Sequence, residues 1–248
     1  ERRRAAAFRI ELTARDGDID AAWREFQSFR EEYGDSPELD RLAAIIGEAL
    51  LRRGDAARAE RALASAKGPR GSLLRGQIAL RNGDVRQARM AFMTAASGLD
   101  GPEATDALAL ATLLGRLSAD GARILGEVVA RAMQGDVSGA VALLVDESRR
   151  LDGAERAGLL DYAAGLADRA ALHEDAERIR RTIVAEHADT PEAPAALLAL
   201  GRALAARPGH AAEARSFLER LVLEYPRSAL VPQARRELDR LRGLVPQS

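Results

Sequence analysis

Trp23, Phe26, Phe29 and Tyr33 stand three, three and four residues apart, the spacing of side chains that share one face of a helix. Apolar residues recur at Phe29, Ile183 and Leu221, each seven positions after an alanine that itself recurs along the chain. Glycine and proline fall mainly between such stretches, so few residues are left for strands and the pattern predicts a chain built of helices. The aromatic run at 23–33 reads as core packing, with an exposed ring for stacking a peptide as the alternative. Ser97-Gly98-Leu99-Asp100-Gly101-Pro102 is the densest cluster of helix breakers, and the apolar-rich stretch over 103–117 reads as one further helix.

Four places share Gly-Asp followed by an alanine five residues after the glycine: Gly17-Asp18 with Ala22, Gly54-Asp55 with Ala59, Gly83-Asp84 with Ala88, and Gly135-Asp136 with Ala140. A fifth copy keeps Gly209 with Ala214, and a degenerate one keeps Ala176, with Ala171 where the glycine would stand. The alanines are 37, 29, 52, 36 and 38 residues apart, which, the long step aside, brackets the length of helix–turn–helix repeats. Glycine just past a helix end takes the left-handed conformation that costs other residues most. The Asp after it can accept from the free amides of the next first turn, a cap that contributes about 1 kcal/mol. Each Gly-Asp therefore predicts the corner of a helical hairpin, and the small alanine beyond it lets the two helices approach.

Eleven residues after the alanine stands Tyr33, His187 or Tyr225, and three further on Ser36, Thr190 or Ser228, the expected N-caps of the next helix. Pro37 and Pro191 follow, expected just inside the new helix, where the missing amide is harmless. Leu63 and Phe92 stand four residues after Ala59 and Ala88, and Gly47 and Gly76 stand seven before their corners.

These residues resemble the tetratricopeptide repeat family, whose units carry a small residue in the first helix, a corner glycine, an alanine in the second helix, a large apolar residue four later and a proline near the end. The resemblance covers nearly the whole chain. Departures are the absent first-helix Trp, a second copy about five residues short, and the long step from 83 to 135. It implies an all-α helical-hairpin solenoid, a right-handed superhelix of about fourteen helices, with hairpins over 1–98, a breaker and extra helix over 99–121, and further hairpins over 122–248. The extra helix either completes a degenerate hairpin with 122–134 or breaks the superhelix into two arms. The ending Glu224-Tyr225-Pro226-Arg227-Ser228, echoed at Glu32-Tyr33-Gly34-Asp35-Ser36, is similar to bacterial envelope members of the family, the outer-membrane assembly lipoproteins and the Tol-Pal-associated coordinator. That implies an envelope or periplasmic location over a cytoplasmic one.

Composition narrows the chemistry. Aromatics supply only 4% of the 248 residues while hydrophobic residues make up 47%, so the apolar material is aliphatic, largely alanine, and favours helices. Lys and Arg total 37 against 38 Asp and Glu, so no global field draws the chain to nucleic acid or an anionic membrane. There is no cysteine, which removes disulfides, thiolate metal sites and cysteine nucleophiles. No apolar run approaches the roughly 18 residues that span a bilayer, so no direct membrane insertion is expected. The chain begins at Glu1 without Met, which leaves room for an upstream leader or anchor. His173, His187 and His210 form no ligand pattern: after His173-Glu174, position 177 is Glu where a zinc-protease helix needs His, so neither metal nor cofactor is expected. His187, in a repeat tyrosine's place, reads as a packed residue with a polar tip. No phosphate loop or nucleophile elbow is present, and no catalytic residue is assigned.

The functional candidates lie on the first helices. Aligned on the small-residue slot, Glu11 and Arg15, Glu48 and Arg52, Gln77 and Arg81, and Glu127 and Arg131 repeat an acid or amide followed four later by arginine, with Arg4, Arg41 and Arg70 extending the row. The family resemblance implies that first helices line the groove where partner segments bind. On that reading the row is a ladder of acceptors and guanidinium forks for an extended peptide. The other reading is solvated decoration: Glu four before Arg contributes roughly 0.2–0.5 kcal/mol within a helix, and a last-turn arginine such as Arg207 complements the helix dipole. The expected function is a non-enzymatic scaffold for a protein or peptide segment, without nucleic acid. The alternatives are an oligomerising structural element, or a helical enzyme or small-ligand receptor with a deep polar pocket.

Overall fold

The computed structural model of the chain describes residues 1–243. These contain fourteen α-helices and no strand. In chain order they are α1 (Arg2–Arg15), α2 (Ile19–Tyr33), α3 (Pro37–Arg52), α4 (Ala56–Leu63), α5 (Pro69–Arg81), α6 (Val85–Gly98), α7 (Gly101–Leu114), α8 (Ala119–Met133), α9 (Val137–Glu147), α10 (Gly153–Arg169), α11 (His173–Glu186), α12 (Ala193–Ala205), α13 (Ala211–Glu224) and α14 (Val231–Leu241), with a short 3-10 turn at Ser148–Arg150.

The corners are where the repeat places them. Gly17, Gly54, Gly83, Gly135 and Gly209 have φ between 80° and 94°, and Ala171 holds the same left-handed turn at φ 58°. The carboxylates of Asp18, Asp55, Asp84 and Asp136 accept from the amides of Ala21, Arg58, Gln87 and Gly139, at 2.9, 3.0, 2.9 and 2.9 Å. All six repeat alanines are fully buried. Within a hairpin the small first-helix slot receives the large apolar residue of the second helix: a Cβ on Gly47 would lie 2.7 Å from Leu63, on Gly76 2.7 Å from Phe92, and on Gly201 2.6 Å from Leu218. Trp23, Phe26 and Phe29 are buried in the core of the first hairpins, beside half-buried Tyr33.

The handover between hairpins follows the expectation only once in three copies. Ser36 caps α3, accepting from Leu39 N at 3.3 Å. Thr190 instead donates its hydroxyl to His187 O at 2.7 Å, and α12 starts later, so Pro191 lies in the turn before it and Pro194 takes the first-turn position. Ser228 accepts from Leu230 N at 3.2 Å in a turn that delays α14 to Val231. The second copy is short because α4 stops after eight residues. Arg75 donates to Leu63 O and Ala66 O, and Asp40 accepts from Lys67 N and Gly68 N, so the freed ends of α4 and α5 are satisfied by side chains from α5 and α3.

The chain forms two compact units, Glu1–Ala140 and the part from Val141 onward, which part within α9. In the first unit, first helices pack on first helices, α1 on α3, α3 on α5, and then α5 on α8. Helix α7 packs on α6, and α8 packs on α5. Gly126 permits that continuation, because a Cβ there would lie 2.8 Å from Leu80 O and 3.5 Å from Arg81 Cα. The row of first helices thus runs from α5 on to α8, with the extra helix lodged against α6. In the second unit α10 pairs with α11 and α12 with α13, and α14 packs on both α12 and α13.

Candidate partner-binding surface

The first-helix row of the first unit brings the predicted ladder together, with a geometry of its own. Glu11, buried on α1, meets Arg41 of α3 at 2.6 Å, a close ion pair off the hydrogen-bond direction. Glu48 of α3 accepts from Arg52 at 2.9 Å and from Arg70 of α5 at 2.9 Å, and Arg70 reaches on to Glu103 of α7. Arg41 and Arg70 both stand six residues before the glycine slot, and each pairs with the acid one residue after the slot of the preceding first helix. The acids thus serve first as lateral staples between repeats. Arg4 sits at the same slot of α1 and lies 4.0 Å from Glu38, to which Arg3 donates at 3.2 Å.

The staples run out at α5. Its acid slot holds neutral Gln77, whose Oε1 is buried without a hydrogen-bond partner. Beside it, Gln77, Ile78 and Arg81 of α5, Leu51 of α3 and Ala130, Met133 and Gln134 of α8 line a crevice of about 10 Å³. Arg81 and Arg15 are exposed and make no ion pair among the described residues.

Glu127 and Arg131 depart from the predicted ladder. Arg15, Arg52 and Arg81 each stand two residues before a corner glycine, and in α8 that position is Met133, with buried Val129 in the acid slot. Gly126 stands two residues before the small-residue slot of α8 and serves the crossing with α5 instead. Glu127 accordingly pairs with Arg123, and Arg131 donates to Asp136 Oδ2 at 2.5 Å. The Arg131 guanidinium, together with the Gly139 amide, holds Asp136 below the usual carboxylate range.

The second helices carry ion pairs that sequence reasoning missed. Asp20 of α2 accepts from Arg58 of α4 at 2.5 Å and from Arg53 at 3.2 Å, and these two, Arg58 foremost, lower its pKa. In the second unit a charged groove of about 540 Å³ runs along α11. There Glu177 accepts from Arg181 at 2.8 Å and lies 2.6 Å from Arg207, and Arg181 also donates to Glu213 at 2.6 Å. Arg181 first, then Arg207, pushes Glu177 down, and a carboxylate so held is ionised at neutral pH and unsuited to donate a proton. His187 is buried with Nε2 unpartnered, His173 opens α11, and His210 lies 3.5 Å from Glu213, so the three stand apart in role. Among the described residues no helix is long and apolar enough to cross a membrane.

Residues 195–228, which span most of α12, the Gly209 corner and α13, match the family model described as Tetratricopeptide repeat. No curated protein matches the chain. Repeats of this kind generally serve as protein-interaction scaffolds.

Proposed function

We propose that this chain, a member of the tetratricopeptide repeat family, is a non-enzymatic scaffold that binds a segment of a partner protein along the α1–α3–α5–α8 row. The observation that carries the reading is the open rung at Gln77 and Arg81. Where the neighbouring acids are consumed by lateral arginines, this rung keeps an unpartnered acceptor and an exposed guanidinium over the apolar floor of Leu51, Ile78 and Met133. An extended segment supplies a carboxylate for the exposed Arg81 guanidinium, while Gln77 Oε1 lies buried beneath it. Arg15 offers a second exposed guanidinium at the start of the row. The same reading puts the protein in bacterial envelope assembly, on the strength of the Glu224–Ser228 ending. Fractionation of cells producing the full gene product tests that part.

The binding test compares two double variants. A partner captured with the intact chain is titrated against Arg15→Glu/Arg81→Glu and against Arg24→Glu/Arg215→Glu, which reverses exposed arginines on second helices. The first pair is expected to lose at least about tenfold in affinity, with a smaller salt dependence, and the second to bind like the parent. Equal affinities for the two double variants contradict the first-helix row as the binding surface.

A further inference from the structure

The extra helix creates a second surface. Helix α7 packs on α6, and between them runs a groove of about 710 Å³ whose lining includes Met90, Met93, Leu114, Arg86 and Arg89. Two of the chain's three methionines are here, one helical turn apart, and they are 67% and 49% exposed although their repeat neighbours Ala88 and Phe92 are fully buried. Exposed methionine is costly as decoration and effective as a contact, because its unbranched, polarizable side chain adapts to varied apolar partners. Two arginines and no acid line the groove. Arg86 and Arg89 are exposed and make no ion pair among the described residues, in a chain whose other arginines are widely paired. Arg89 is already placed, since a Cβ on Gly115 at the end of α7 would lie 3.4 Å from its Cζ.

We infer that the α6–α7 groove is a second docking site, for an acidic segment of another protein that seats large aliphatic side chains on Met90 and Met93 and sets carboxylates against Arg86 and Arg89. Charge complementarity selects this occupant. The chain as a whole is neutral to within one charge, so an arginine-only lining is a local property of the groove. The site stands apart from the first-helix row and does not depend on it.

The test uses fluorescein-labelled synthetic peptides that share two leucines one helical turn apart and differ only in flanking glutamate, glutamine or lysine, read by anisotropy at low and high salt. The glutamate peptide is expected to bind at least about tenfold tighter than the lysine peptide and to weaken with salt. Met90→Gln/Met93→Gln is expected to weaken the glutamate peptide by about tenfold, and Arg86→Glu/Arg89→Glu to abolish its preference over the lysine peptide, with helix content and melting like the parent's, because all four side chains are exposed. Arg15→Glu/Arg81→Glu leaves it unchanged. No detectable binding of the glutamate peptide, equal binding of the glutamate and lysine peptides, or loss in the first-helix variant alone overturns the inference. Concentration-dependent self-association abolished by Met90→Gln would make the occupant a second copy, and flotation with phosphatidylserine vesicles lost in Arg86→Glu/Arg89→Glu would make it a membrane. Either result also overturns it.

Discussion

Gly54 and Ala171 occupy equivalent corners at φ 80° and 58°, and only one of them is glycine. A left-handed residue with a Cβ costs roughly 1–2 kcal/mol, so the two positions predict substitutions of opposite sign. Gly54→Val is expected to lower the melting temperature, against the order of helix propensities, in which Val ranks above Gly. Ala171→Gly relieves the strain and gives back about 0.5–1 kcal/mol through the looser unfolded chain, a net gain of up to about 1 kcal/mol. Thermal melts of both variants check the pair, and a rise for Gly54→Val would refute the corner. The caps act at the same scale. Asp84→Ala removes the acceptor for Gln87 N and should cost about 1 kcal/mol.

Elements meet where side chains are absent. At Gly126 the neighbour of a new Cβ is the backbone of Leu80, 2.8 Å away, which cannot rotate aside as a side-chain tip can. Gly126→Val is therefore expected to destabilise by about 1–3 kcal/mol and to loosen α8 from α5. Denaturant unfolding with hydrogen exchange over α5 and α8 measures both. These crossings also show what the sequence could reveal. Corners and caps are local, each decided by residues a few positions apart, and Gly-Asp with its alanine announces them directly. The step from 83 to 135 announces an added helix, yet that α8 packs on α5 depends on surfaces far apart in sequence. The ladder has the same limit. Its residues were visible at regular spacing, but Glu11 pairing with Arg41, and Glu48 with Arg70, is decided by which first helices lie side by side. Gln77 stood out only once its neighbours proved to be stapled. The short α4 reads as an irregularity until Arg75 is seen on its last carbonyls.

At the scale of the whole molecule, carboxylates from both units are held by arginine. Arginines and backbone amides hold Asp20, Asp55, Asp136, Glu177 and Glu213 below the ordinary range. A group whose folded pKa is depressed contributes stability above its unfolded value and loses it as pH falls through the folded one. With unfolded values of about 3.9 for Asp and 4.3 for Glu, the melting temperature should hold level from neutrality to about pH 5 and fall steadily below about pH 4. A melting temperature unchanged down to about pH 3 would show that these pairs contribute nothing net. A partner is expected to touch the row of first helices at Arg81. A photo-crosslinking benzophenone residue placed in turn at Gln134, which lines the crevice beside Arg81, and at Arg24, in the chain bound to its captured partner, separates the two faces. A crosslinked partner from position 134 and none from position 24 is expected; a crosslink from 24 with none from 134 would contradict binding on the first-helix row.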